Sequence, residues 1–181
     1  MDRTQVQLFQ WNEIFDFKSI HYNDLHLSDM LCSPYVHRQD YIKVIDVLGR
    51  VQTSRATHET FENKNLVTKI EALEKLSPLF FSVCKSLGMS CQHDGPVTAH
   101  LFVSPKDGIS FDMHTDPDDV IVYTVKGSKT MEVQDHGVFE IREGCALFIP
   151  KNVPHRARNI HESITISFGL ECFTLDKLYH A

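Results

Sequence analysis

The sequence predicts a mainly β domain, an antiparallel sandwich or barrel, preceded by helices. Three observations point there. After Gly95 the apolar pattern changes from helical spacing to strict alternation. Seven β-rich segments then follow within about 75 residues, divided by Gly, Pro and Asp turns. The only helices of crossover length lie before this block, which argues against a doubly wound α/β fold. A chain of 181 residues that is 42% hydrophobic, with 12 phenylalanines, can bury a core without disulfides.

Taken in order, HLSDMLCSP reads as a short helix, with Ser28 able to cap it and Pro34 closing it. YIKVIDVLGRV, from Tyr41 to Val51, reads as a strand running into a turn centred on Gly49. In ENKNLVTKIEALEKLSPLFFSVCKSLG, Leu66, Ile70, Leu73 and Leu76 repeat at helical spacing. Pro78 interrupts, and Phe80, Phe81, Cys84 and Leu87 continue the pattern to Gly88. The β-rich segments are VTAHLFVSP, ISFDMHTD, VIVYTVKG, KTMEV, VFEI, CALFIP and SITISFGL. There is no repeat, low-complexity tract or linker. Residues 1–181 are therefore expected to form one domain, a mixed, largely helical portion (1–94) packing on a β core (95–170).

Eighteen basic and 24 acidic residues give a formal charge of -6, which excludes a wholesale basic surface for nucleic acid. The N-terminus lacks the apolar stretch and small-residue cleavage site of a secretory signal. No run approaches the roughly 20 apolar residues of a membrane span. A cytoplasmic protein is expected, with no membrane contact and no direct nucleic-acid contact; assembly as a homodimer stays open. The five cysteines are odd in number and contain no CxxC pair, so they read as small buried hydrophobes. A reactive thiol at Cys145, beside the turn EGCALFIP, remains a second reading.

The residues that could carry chemistry begin with His114-Thr115-Asp116. In extended backbone His114 and Asp116 share a side, roughly 6–7 Å apart. His155, after the strand LFIP and the turn KNVP, is the best third ligand. Two histidines and a carboxylate make a facial triad with three open positions, a set that suits iron(II) with a cosubstrate and dioxygen. Structural zinc would want four protein ligands. With 11 histidines in the chain, the same spacing is equally open to ordinary strand and turn residues.

Read together, GPVTAHLFVSP, ISFDMHTDPDDVIVYTVKGSKTMEV, GCALFIPKNVPHRARN and SITISFG resemble the cupin-fold JmjC family of iron(II)- and 2-oxoglutarate-dependent oxygenases, closest to its ribosomal-oxygenase-like branch. The resemblance covers roughly residues 25–169 and is strongest from 95 to 169. It implies a double-stranded β-helix (jelly roll), with iron held by His114, Asp116 and His155. It assigns Lys129, in Gly127-Ser128-Lys129-Thr130-Met131, to the distal carboxylate of the cosubstrate 2-oxoglutarate. The residues favour this independently, since Lys129 shares a strand face with Met131 and Val133, where a lysine needs an anion or a route to solvent. Thr165 and Ser167 could accompany it. His100 stands where the branch commonly has Asn and could contact cosubstrate, substrate or only core. Thr98, Phe102 and Tyr123 are further candidates for the pocket wall. Met131 replaces the usual Trp, Cys145 stands where Gly-Asp usually precedes the strand, and Phe111 occupies a position where relatives use smaller residues.

The resemblance implies hydroxylation of an unactivated C–H bond, with 2-oxoglutarate and dioxygen consumed and succinate and carbon dioxide released. The branch also carries C-terminal dimerisation and winged-helix regions, whereas this sequence ends soon after SITISFGL. That end and the short interval from Asp116 to His155 favour an amino-acid-like small molecule, free or carrier-tethered. A protein side chain of the ribosomal-protein type is the alternative substrate. A nonenzymatic metal-binding cupin is the alternative class.

Overall fold

The computed structural model describes residues 2–16, 19–45, 48–53 and 66–172. Strand β1 (Gln7–Gln10) leads into the short helix α1 (Trp11–Ile14), and a 3-10 turn spans Tyr22–Leu25. Helices α2 (Leu27–Cys32) and α3 (Pro34–Arg38) follow, then strands β2 (Ile42–Ile45), β3 (Val51–Thr53) and β4 (Val67–Ile70). Helices α4 (Leu73–Leu76) and α5 (Pro78–Ser90) precede the β-rich half. That half holds β5 (Val97–Ser104), β6 (Asp119–Val133), β7 (Gly137–Arg142), β8 (Cys145–Ile149), β9 (His155–Arg158) and β10 (Ser163–Leu170).

Among the described residues the named strands pair antiparallel, in the order β1-β8-β6-β10-β5-β4-β2-β3. The second half of β6 leaves this sheet and pairs with β7 on one side and β9 on the other. One 15-residue strand thus serves two sheets, which is how the jelly roll closes. The change of sheet falls at Gly127, whose φ of +76° suits glycine and whose missing Cβ leaves room for the Glu162 carbonyl.

Alternation then divides the side chains. Ile121, Tyr123 and Val125 of β6, Phe148 of β8, and Ile166 and Phe168 of β10 join a core with Trp11, Leu73, Phe80 and Leu87 beneath the helices. Their neighbours Val120, Val122, Leu147 and Ile149 face the other way and pack with Met131, Val133 and Ile141 of the small sheet. The main sheet is therefore apolar on both faces, covered by helices on one and by the small sheet on the other. No helix among the described residues is long and apolar enough to cross a membrane.

Several expectations are corrected. The helix predicted through Leu66 and Ile70 is instead strand β4, paired with both β2 and β5; the preceding residues 62–65 lie outside the described segments. Buried Val67 and Ile70 match helical spacing, but a β-branched run between two strands is better placed in the sheet. Helix α2 exists, yet its N-cap is His26 in the left-handed region, not Ser28, and Pro34 opens α3 rather than closing α2. VIVYTVKG and KTMEV form one continuous strand. ISFDMHTD forms only two isolated bridges, Ile109 to Leu66 and His114 to His155. The mixed portion 1–94 contributes, among its described residues, strands β1 to β4 beside its helices. Of the cysteines only Cys84 is buried; Cys91, Cys145 and Cys172 are half-buried and Cys32 is exposed.

Candidate metal centre and adjoining cavity

His114 and His155 are brought together by the backbone itself. The N–H of His114 donates to the carbonyl of His155 (3.0 Å), and the reverse bond is 2.8 Å. The imidazole centroids lie 4.7 Å apart. Asp116 is fixed by the turn before β9, where the N–H of Asn152 donates to its carbonyl (2.8 Å). One ligand atom from each of His114, Asp116 and His155 lies within 4.8 Å of the other two. The side chains predicted from spacing thus converge on one point.

The donor chemistry fits a metal ion. His114 Nδ1 lies 2.8 Å from the Asp112 carbonyl and His155 Nδ1 lies 2.9 Å from the Val153 carbonyl. A carbonyl only accepts, so each Nδ1 carries a proton and each Nε2 is left to offer its lone pair to a cation. His155 Nε2 lies 3.3 Å from Asp116 Oδ2, so the two donor atoms already face each other. Burial opposes charge on His155, but hydrogen bonds to Asp116 and to the Val153 carbonyl hold its imidazole above the usual value. The same hydrogen bond, outweighing burial, holds the Asp116 carboxyl below the usual carboxylate range.

Beside the triad a cavity of about 260 Å³ opens between the two sheets. Its walls include Thr98, His100 and Phe102 of β5, Thr165 and Ser167 of β10, and Lys129 and Met131 of β6. Lys129 is only 4% exposed. Its ammonium donates to Ser104 Oγ (3.0 Å) and to Asn159 Oδ1 (2.6 Å), and burial pushes its pKa down to about 7. No carboxylate bonds to it among the described residues, so this buried cation faces the cavity without a counterion.

His100 accepts at Nδ1 from the N–H of Ala72 (3.4 Å). Burial, followed by the charge of Lys69, pushes its pKa down to about 4, so it lines the cavity as a neutral ring. Phe111 stands edge-on to both Phe102 and His114, forming an aromatic wall against the triad. Tyr123 is not a pocket residue. Its ring packs on Trp11 and its hydroxyl donates to the Ile20 carbonyl, because its odd position in β6 turns it toward the helices. Sequence reasoning missed Ser104, Asn159 and Lys69. Ser104 continues the 98-100-102 face by one step and was legible in that pattern. Asn159 and Lys69 carry no local signal.

The Cupin domain family matches residues 100–168. No curated protein matches the sequence. Among solved structures, ribosomal oxygenase YcfD from Escherichia coli superposes with a TM-score of 0.64 at 14% identity, covering 97% of this chain and 50% of that one. The same enzyme in complex with cobalt and 2-oxoglutarate gives 0.63 at 14% identity over the same shares. With cobalt and succinic acid it gives 0.63 at 15% identity. The chain therefore spans about half the length of these solved structures. Its architecture is the double-stranded β-helix that it shares with these structures, with a two-histidine, one-carboxylate cluster at its cavity.

Proposed function

We propose that this chain is an iron(II)- and 2-oxoglutarate-dependent oxygenase that hydroxylates a side chain of a protein. The observation that carries the reading is the convergence of His114, Asp116 and His155 at one end of a cavity that also holds the buried, counterion-free Lys129. A metal triad alone would suit many cupins; a buried cation in the same cavity selects a chelating anion with a second negative end.

In this reading His114, Asp116 and His155 hold iron(II), and Lys129 pairs with the distal carboxylate of 2-oxoglutarate. Thr165 and Ser167 of β10 offer hydroxyls to the same cavity. Bound iron supplies the oxidising chemistry, coupling decarboxylation of 2-oxoglutarate by dioxygen to insertion of oxygen into a C–H bond. The chain's own part is orientation and exclusion of water. Phe102, Phe111 and Met131 line the cavity with apolar surface, while neutral His100 adds no charge that would compete with the cosubstrate.

A protein substrate is favoured over the amino-acid-like small molecule. The likeness to a ribosomal oxygenase runs through 97% of this chain, including the helical portion. Where the sequence ends says nothing about the shape of the site, and the short interval from Asp116 to His155 does not close the triad off. His114 and Asp116 are only half-buried, so one edge of the triad is open to a protruding side chain. Iron-loaded protein with 2-oxoglutarate is incubated with separated macromolecular and small-metabolite fractions of a cell extract, following succinate and product mass. Succinate stimulated by the macromolecular fraction, with one oxygen atom gained on one protein, is expected. Stimulation confined to small metabolites would overturn the protein assignment.

A further inference from the structure

Asn159 follows directly on β9, the strand whose first residue is His155. It is buried, and three hydrogen bonds hold it. Its carbonyl accepts from the N–H of Asp107 (2.6 Å), its amide nitrogen donates to the Gly108 carbonyl (2.6 Å), and its Oδ1 accepts from Lys129 Nζ (2.6 Å). The bond to Gly108 decides which way the amide points: only the nitrogen can donate to a carbonyl, so the oxygen must face the lysine. An ammonium has three donors. Ser104 Oγ and Asn159 Oδ1 take two of them, and the cavity lies on the remaining side of Lys129.

We propose that Asn159 is a positioning residue that aims the third donor of Lys129 into the cavity, and so sets the preference for a 2-oxo acid with a distal carboxylate over one without it. The proposal rests on the cosubstrate reading above. A flexible four-carbon side chain would otherwise spread its charge over many rotamers, and fixing it in advance removes that cost from binding. Asn159 also ties the lysine to the 107–111 segment, which carries Phe111 and leads to His114. The anion site, the aromatic wall and the first metal ligand therefore share one anchor.

The test compares two chelators on anaerobic iron(II)-loaded protein, read by the absorbance that appears when a 2-oxo acid chelates the metal. 2-Oxoglutarate reports on the distal site. 2-Oxobutanoate chelates in the same way but has no distal carboxylate. In Asn159→Leu the lysine loses its acceptor. In Asn159→Asp, a near-isosteric change, the bond to the Gly108 carbonyl is lost and a carboxylate beside Lys129 competes with the ligand, while the 2-oxobutanoate arm reports whether the metal site stays intact. Both variants are expected to weaken 2-oxoglutarate by about 10-fold or more and to leave 2-oxobutanoate unchanged. Equal weakening of both acids, as a purely structural role would give, overturns the proposal, and so does an unchanged preference in Asn159→Asp. A wild-type protein without preference for 2-oxoglutarate overturns the cosubstrate reading and the Asn159 role with it, and is told apart because it precedes any substitution.

Discussion

Replacing Lys129 by Met tests whether the buried amine is held for a ligand or for the fold. In the unfolded chain the amine keeps its ordinary value of 10.5, whereas burial lowers it to about 7 in the folded, ligand-free protein. Between those values the unfolded chain binds more protons, so stability rises with pH across that window. Below about pH 7 the amine is protonated in both states and the slope vanishes. The shift corresponds to about 5 kcal/mol at pH 7, of which about 4 kcal/mol is recovered by pH 10. Lys129→Met removes this term. It also strips the donor from Ser104 Oγ and Asn159 Oδ1, at a cost of about 2 kcal/mol. The variant should therefore be more stable than wild type by about 3 kcal/mol at pH 7, and this advantage should shrink steadily and be lost by pH 10. Urea unfolding of metal-free protein at several pH values measures this directly. A difference that stays constant across that range would refute the argument that burial holds this amine near neutrality. Gain of stability with loss of 2-oxoglutarate chelation would identify Lys129 as a residue kept for function at the expense of the fold.

Two further outcomes follow from the site and the sheet. Asp116→Ala should abolish stoichiometric iron(II) binding after anaerobic reconstitution while leaving the circular dichroism spectrum intact; undiminished metal content would disqualify the triad. Gly127→Ala places a Cβ on a backbone with φ of +76° and against the Glu162 carbonyl, so it should lower unfolding stability by more than about 1 kcal/mol, and an unchanged midpoint in thermal unfolding would show that β6 can change sheets without glycine.

Local pattern alone determined much of this protein. After Gly95, alternation places β5 and β10, and short apolar runs bounded by turn residues place β6 and β8, because a strand covered on both faces is apolar at successive positions. His114 and Asp116 were legible as two ligand types on one side of an extended segment, and His155 and Lys129 through the strings around them. Tertiary structure alone decided the rest. Leu66 and Ile70, four positions apart, fit a helical spacing as well as a strand's alternation, and only pairing of the segment with β2 and β5 resolves the tie. Tyr123 has the composition of a pocket residue, yet its parity along β6 sends it to Trp11 instead. Asn159 sits 30 positions from Lys129 in the chain, and nothing in the string that it ends points to a lysine so far away. Its role exists only where β9 ends beside β6 and the 107–111 segment folds over both, since a hydrogen bond depends on distance and angle in space and leaves no trace in sequence order.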